Sequence, residues 1–391
     1  MALQLPGPIA DGGTLLHGRV TAPEIRPRHL LHVLPSFALG GVQVRLARLI
    51  GALGHRYRHT VLALDGNLAA SAILDPAVDV DVEAVKHLPK HPPASLFAVR
   101  RRIRAEMPDL LCTYNWGAID WAMGARFFSR CNHVHFEDGF GPDEIEHRLK
   151  RRAFLRRLAL GKARHVIVPS HTLETIALSE WHLAPDHVRY IPNGIDADAF
   201  AATSHGAKPL FARAANETII GTVAPLRPEK NVGRLIRAFA AMNSTVSTRL
   251  VIAGGGAQRD ELGALAQSLG VADRVLFLGA INEPGRALAQ FDIFALSSNT
   301  EQMPMCVLEA MAMALPIVSV DVGDVKHMLA PANRALTVPT ANEAGFASAL
   351  DTLVTEPNRR AELGRLNQRH VRETYPWQVM VDTYDRVFSE R

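Results

Sequence analysis

Short apolar runs alternate with amphipathic stretches along most of this chain. LLHVLP (30–35), HTVLAL (59–64), DLLCTY (109–114) and HVIVP (165–169) have the length and composition of buried strands. Between them lie patterns of helical period, such as Val42, Leu46, Leu49, Ile50 and Leu53, which share one helix face. From residue 196 the pattern lapses into DADAFAATSHGAKPLFARAAN, Ala-rich and polar. A second series follows: TIIGTV (218–223), RLVIAG (249–254), RVLFLG (274–279), DIFAL (292–296) and PIVSV (316–320). Strand and helix in repeated alternation predict parallel sheets covered by helices on both faces. The expected fold is therefore α/β in two halves. An irregular segment (1–28) precedes a first domain over 29–198, a linker over 199–216 and a second domain from 217. Two such halves place a ligand in the cleft between them, at the C-terminal ends of the strands.

Composition narrows the class. The 391 residues are 48% apolar and 21% charged, which suits a soluble globular protein and excludes a disordered one. The cysteines, Cys112, Cys131 and Cys306, are odd in number and far apart. They exclude a disulfide scaffold and a cysteine-only zinc site, and they fit a reducing compartment. No apolar run is long enough to span a bilayer, and MALQLPGPIADGG lacks the basic and apolar regions of a secretory signal. The expected location is cytoplasmic.

Three stretches carry candidate chemistry. Gly40-Gly41 separates the first strand from its helix, where glycines allow close backbone approach and a helix N-terminus favours an anion such as phosphate; a plain tight turn fits equally well. LRPEKN (226–231) brings Arg227 and Lys230 to the end of a strand, where two cations can hold a diphosphate, or where Glu229 simply pairs one of them. In EQMPMCVLE (301–309), Glu301 falls in a loop and Glu309 about a turn into a helix. A carboxylate accepts two sugar hydroxyls at once, and backbone amides over Met303, Pro304 and Met305 can meet phosphate or hydroxyl oxygens. The alternative is capping by Glu301 and simple exposure of Glu309. Gly254-Gly255-Gly256 lacks dinucleotide-fingerprint spacing, and the Asp-x-Asp pairs at 79/81 and 196/198 read as solvated carboxylates. The scattered histidines form no zinc cluster. No metal site is expected.

Taken in order, the double glycine before a helix, VPS (168–170), IPNGID (191–196), LRPEKN, LVIAGGG, VLFLG and Glu-x7-Glu running into EAMAMALPIVSVDVGD resemble the family-4 retaining glycosyltransferases, over roughly residues 29–390. The resemblance implies two Rossmann-like domains facing across a cleft (the GT-B arrangement), with a nucleotide-diphosphate sugar as donor and no cofactor or metal. It makes 217–374 the nucleotide-sugar domain and 375–391 a helix crossing back to the first domain. Position by position, it makes Lys230 the diphosphate-binding lysine, Glu301 the donor-sugar glutamate, Glu309 the ribose-binding glutamate and Gly40-Gly41 the N-terminal phosphate loop. Two departures stand out. The family's arginine five residues before the lysine is Pro225 here, so Arg227 is the candidate to replace it. Where the family often has a histidine near the end of a first-domain strand, this chain reads HVHFEDGFG, which makes His135 and Asp138 the acceptor-side candidates. A sugar-nucleotide 2-epimerase of the same fold, or a non-catalytic nucleotide-sugar-binding protein, are the competing readings.

Charge adds one expectation. Lys and Arg exceed Asp and Glu by 43 to 39, and the whole excess lies within residues 1–200. RLKRRAFLRRLALGKARH (148–165) concentrates eight of these cations. With Leu149, Ala153, Leu155 and Leu158 as an apolar stripe, Arg151, Arg152, Arg156 and Arg157 would face an anionic membrane surface. That predicts a peripheral protein on the inner face of the cell membrane, acting on a lipid or lipid-linked glycan. The competing reading is a solvated helix whose stripe packs on its own domain. Nucleic acid is not expected, because no aromatic residues interleave with these charges.

Overall fold

The computed structural model describes residues 26–85, 94–128, 131–141, 144, 148–204 and 206–390. The expected irregular start therefore lies almost wholly outside the described residues, as does the reading of residues 1–13 for a signal. The first domain runs β1 (Arg28–Leu34), α1 (Gly41–Leu53), β2 (Tyr57–Ala63), β3 (Val80–Ala84), α2 (Ala94–Glu106), β4 (Leu110–Tyr114), α3 (Ile119–Phe128), β5 (His133–Phe136), α4 (Lys150–Leu160), β6 (His165–Val168), α5 (His171–Ser179) and β7 (Val188–Tyr190). Its seven strands are parallel in the order β3-β2-β1-β4-β5-β6-β7. After α6 (Ala197–Ala202), the second domain continues with β8 (Thr218–Val223), α7 (Val232–Ala240), β9 (Thr248–Ala253), α8 (Arg259–Ser268), β10 (Val275–Gly279), α9 (Pro284–Leu288), β11 (Ile293–Leu296), α10 (Met305–Ala312), β12 (Ile317–Val320), α11 (Val325–Met328), β13 (Thr337–Val338), α12 (Glu343–Thr355), α13 (Pro357–Thr374) and α14 (Trp377–Ser389). Its sheet is also parallel, in the order β10-β9-β8-β11-β12-β13.

Both sheets reverse their winding direction once, between β1 and β4 and between β8 and β11. The loops at such switch points splay apart and leave a crevice at the strands' C-terminal ends. Gly40-Gly41 follows β1, LRPEKN follows β8 and Glu301 follows β11. All three candidate stretches thus stand at the crevices.

The chain crosses between domains twice, side by side. Ile195 N–H donates to the Tyr375 carbonyl at 2.9 Å, and Trp377 N–H donates to the Ile195 carbonyl at 3.2 Å. Beyond the second crossing, α14 lays Met380, Val381, Tyr384, Val387 and Phe388 into the core that holds Leu30, Leu34 and Phe136. The Phe136 and Tyr384 rings stack at 5.7 Å. The first crossing departs from the expected linker start. Ile195, Ala197 and Phe200 already pack in the second domain's core, and α6 spans residue 199. Asp196, an exposed carboxylate, caps that helix by accepting from Ala199 N–H at 2.9 Å.

The basic helix α4 does not present one charged face. Arg151 and Arg157 are exposed, but Arg156 is only 1% exposed and pairs with Glu137 and Glu144, each at 3.1 Å. The rings of Trp116, Phe140 and Trp181 surround its guanidinium at 5.0, 5.4 and 4.9 Å. Arg152, also turned inward, pairs with Glu144 at 3.2 Å and lies over Trp116 at 4.7 Å. The expectation of four surface arginines fails for these two, because two otherwise buried carboxylates claim them. The apolar stripe is displaced as well. Ala159 and Leu160 are buried with Arg156, whereas Leu149 and Phe154 stand exposed.

Candidate active site

Helix α1 begins at Gly41 with no side-chain cap, so its first amides are open to a ligand. A Cβ placed on Gly41 would lie 3.8 Å from Met305 Cγ. The first helix of one domain and α10 of the other therefore converge end to end. α10 has no side-chain cap either. Met305 and Cys306 supply its first amides; Pro304 supplies none, having no N–H, which corrects the expectation of amides from all of 303–305. Two helix N-termini facing one spot favour an anion there.

Lys230 closes a single tight turn, Pro228–Lys230, after β8, and Asn231 then caps α7 by accepting from Arg234 N–H at 3.1 Å. The Lys230 ammonium donates to Glu301 Oε1 at 2.6 Å, and Ser298 Oγ donates to the same oxygen at 2.7 Å. Burial works against the charged ammonium, but the Glu301 carboxylate outweighs it and raises the Lys230 pKa. The lysine is therefore a fixed cation. Arg234, buried beneath, donates to the carbonyl of Ser297 at 2.8 Å and to Asn299 Oδ1 at 3.1 Å, which shapes the loop that carries Glu301.

Arg227 is not held in place as Lys230 is. Its side chain is 65% exposed and its nearest carboxylate is Glu229 at 4.0 Å. Pro225 is exposed at the end of β8. The expected pair of cations is thus one fixed cation and one solvated arginine.

Glu309 sits in α10, half-buried, with no side-chain hydrogen bond among the described residues. Burial pushes its carboxyl up to about 7, against the pull of Arg48 on α1. A poorly solvated carboxylate without a protein hydrogen bond is a candidate ligand-binding group.

The acceptor-side candidates are enclosed. His135 is fully buried in β5, with Nδ1 at 2.8 Å from Thr113 Oγ1 and Nε2 at 3.4 Å from Glu137. Asp138 is clamped by Arg45 through two hydrogen bonds of 2.7 and 2.9 Å. Both side chains are thus tied to protein partners at the end of β5.

Sequence reasoning missed the side chains that join the two domains. Arg45 also donates to Asn193 Oδ1 at 2.6 Å, and Asn193 Nδ2 donates to the Met303 carbonyl at 2.7 Å. Ser170 Oγ donates to Gln302 Oε1 at 2.9 Å. Met303 is buried in this seam, its Sδ accepting from Asn193 N–H at 3.1 Å. One signal was available: Arg45 interrupts the apolar face of α1, between Val42 and Leu49.

Two parallel α/β domains with facing switch points, a lysine–glutamate pair in the second and converging helix N-termini define the GT-B architecture. Residues 39–199 match the model "Glycosyltransferase Family 4", and residues 209–370 match "Glycosyl transferases group 1". The chain belongs to the family-4 type of GT-B glycosyltransferases. Among curated relatives, N-acetyl-alpha-D-glucosaminyl L-malate synthase of Bacillus anthracis is 25% identical over 45% of this chain and 46% of its own. D-inositol 3-phosphate glycosyltransferase of Stackebrandtia nassauensis is 31% identical over 51% of this chain and 49% of its own. The chain thus aligns with about half the length of these relatives. Among solved structures, HepE of Anabaena in complex with UDP-glucose superposes with a TM-score of 0.76 at 20% identity, covering 92% of this chain and 99% of that one. Sucrose-phosphate synthase of Thermosynechococcus elongatus gives 0.74 at 19%, covering 92% and 98%. At these identities the likeness is one of fold.

Proposed function

We propose that this protein transfers a sugar, with retention at the anomeric carbon, from a nucleoside-diphosphate sugar to an acceptor hydroxyl. The observation that carries the reading is the Lys230–Glu301 pair together with Glu309 on α10, the helix whose first residue faces Gly41. Lys230 and the first amides of α1 and α10 neutralise the departing diphosphate, where charge builds in the transition state. Glu301 accepts hydroxyls of the donor sugar, Glu309 those of the ribose. The acceptor hydroxyl attacks from the leaving-group side and passes its proton to the departing phosphate oxygen. The HepE structure with UDP-glucose supports a nucleotide-sugar donor. Arg227 stays a secondary candidate, able to swing onto the diphosphate from solvent.

The acceptor in this reading is a lipid or lipid-linked glycan in cell-envelope or exopolysaccharide synthesis, met at a membrane surface. Exposed Arg151 and Arg157 beside exposed Phe154 support it. Attachment would be peripheral: among the described residues no helix is long and apolar enough to cross a membrane.

A thermal-shift screen of UDP-, GDP- and ADP-sugars, with and without EDTA, tests the donor half. One base should raise Tm, because a ligand at a hundred times its Kd adds about 2.7 kcal/mol. EDTA should change nothing, and Lys230→Ala should remove the shift. No shift with any nucleotide sugar would refute the reading, and a shift that needs Mg²⁺ would refute metal independence.

A further inference from the structure

We propose that Asp324 is a positioning residue, which fixes the Glu301 loop of the second domain relative to the first. The inference rests on the donor-site reading of Glu301 given above. Asp324 is 4% exposed and lies directly behind that loop. Its N–H donates to the Gln302 carbonyl at 2.9 Å. Gly323, at φ +51°, packs so closely beneath that a Cβ there would come within 2.2 Å of the Glu301 carbonyl oxygen and 2.8 Å of that of Gln302. The backbone that bears Glu301 therefore rests on Gly323-Asp324.

The Asp324 carboxylate points the other way, into the first domain. It accepts from His171 N–H at 2.7 Å, from Thr172 N–H at 3.0 Å and from Thr172 Oγ at 2.7 Å. These amides open α5, whose own cap, Ser170 Oγ, already serves Leu173 N–H at 3.0 Å. One helix thus has its first three amides satisfied, two of them by the opposite domain. An anion at a helix N-terminus is favoured by the aligned peptide dipoles as well as by the hydrogen bonds. Ser170 in turn donates to Gln302, so the residue following Glu301 is held from both sides.

The contacts that Lys230 and Ser298 make to Glu301 lie wholly within the second domain. Loss of the Asp324 contacts leaves those intact and shifts the Glu301 loop against the first domain. Nucleotide binding should survive while turnover, which needs both domains in register, falls. A displacement of about 1 Å is enough to lower a rate by roughly a hundredfold.

The test compares wild type, Asp324→Asn and Thr172→Val. Asp324→Asn keeps the shape but sets an amide against donors. Its kcat should fall about ten- to a hundredfold, with the Kd for the free nucleoside diphosphate changed less than about threefold. Thr172→Val, which removes one hydroxyl and keeps both amides, should lower kcat less, and adding it to Asp324→Asn should cost nothing more, as expected for groups sharing one contact. In small-angle X-ray scattering without ligand, Asp324→Asn should show a larger radius of gyration than wild type. Unchanged kcat in a folded variant, or Kd rising in step with the loss of kcat, would overturn the proposal. Identical scattering curves would do so whether or not any sugar is transferred. Should Asp324→Asn not fold, Thr172→Val decides instead: a smaller fall in kcat at unchanged Kd is expected, and an unchanged kcat would overturn the proposal. Absence of nucleotide binding in every protein would instead count against the donor-site reading, leaving scattering to decide on Asp324.

Discussion

Two carboxylates of the site differ in surroundings, and burial perturbs the charge of Glu309. Glu301 is held by an ammonium and a hydroxyl, whereas Glu309 has burial without a partner and is pushed up to about 7. Near neutrality Glu309 is therefore divided between its neutral and charged forms. A carboxylate holds hydroxyls about twice as strongly as a neutral group does. If Glu309 binds the ribose, affinity for the nucleoside diphosphate rises as pH climbs through 7, because the acceptor gains its charge. Titration calorimetry from pH 6 to 8.5 checks this. Glu309→Gln should flatten the profile and weaken binding at the alkaline end by about 1.5–3 kcal/mol, roughly ten- to a hundredfold. A wild-type profile as flat as the variant's would place Glu309 away from the ribose.

Among the elements, α4 shows where a one-dimensional pattern misleads. Its arginines read as a single charged face only while their partners are unknown. Glu137 and Glu144 lie in the segment after β5, close in space and uninformative in sequence. Removing one partner of a buried pair leaves uncompensated charge, so Arg156→Ser should cost about 3–5 kcal/mol in chemical denaturation. Exposed Arg151→Ser and Arg157→Ser should stay within about 0.5 kcal/mol. Of the four arginines the membrane hypothesis keeps Arg151 and Arg157, beside exposed Phe154. Changing all three to Ser should abolish salt-sensitive co-sedimentation with anionic vesicles while the protein remains folded, and wild-type retention would make the helix a solvated face. Elsewhere the elements were legible where they are plainly apolar. Strands such as TIIGTV and the α1 face appear as expected, while β5 (HVHF) was hidden by two histidines that the structure satisfies with Thr113. The switch-point loops were legible because glycine, lysine and glutamate sit at strand ends. The domain seam was not, since Asn193, Gln302 and Asp324 acquire meaning only once the other domain is in place.

For the whole molecule, the first sheet has an unusual core, because histidines take positions where apolar residues belong. His32 and His59 are fully buried, joined through Nε2 and Nδ1 at 3.0 Å, and His32 Nδ1 lies 3.0 Å from the Tyr114 hydroxyl. His133, bonded to Thr113 at 2.7 Å, completes a similar arrangement on β5. Burial pushes all three below the usual imidazole value: His32 well below, His59 to about 4 and His133 to about 3. Unfolded, each takes a proton near pH 6.5. The unfolded chain therefore binds more protons than the folded one below 6.5, and stability falls as the solution is acidified. Each such histidine contributes a slope of about 1.4 kcal/mol per pH unit, until pH drops below its folded value. Glu309 and Asp120, both raised by burial, oppose them, because each takes its proton first in the folded state and so adds stability as pH falls from its folded to its unfolded value. His29 and His370, also lowered by burial, act with the other three, so the histidines prevail. The stability contributed by neutral histidines should thus be fully present above about pH 7 and lost steeply between pH 6.5 and 4. Thermal melts in one buffer series from pH 8 to 4.5 should show a plateau followed by a sharp decline in Tm. His59→Gln, which keeps a polar side chain without the titration, should make that decline shallower. A Tm that stays level down to pH 5 would mean that the buried imidazoles gain protons without cost, and that another group offsets them.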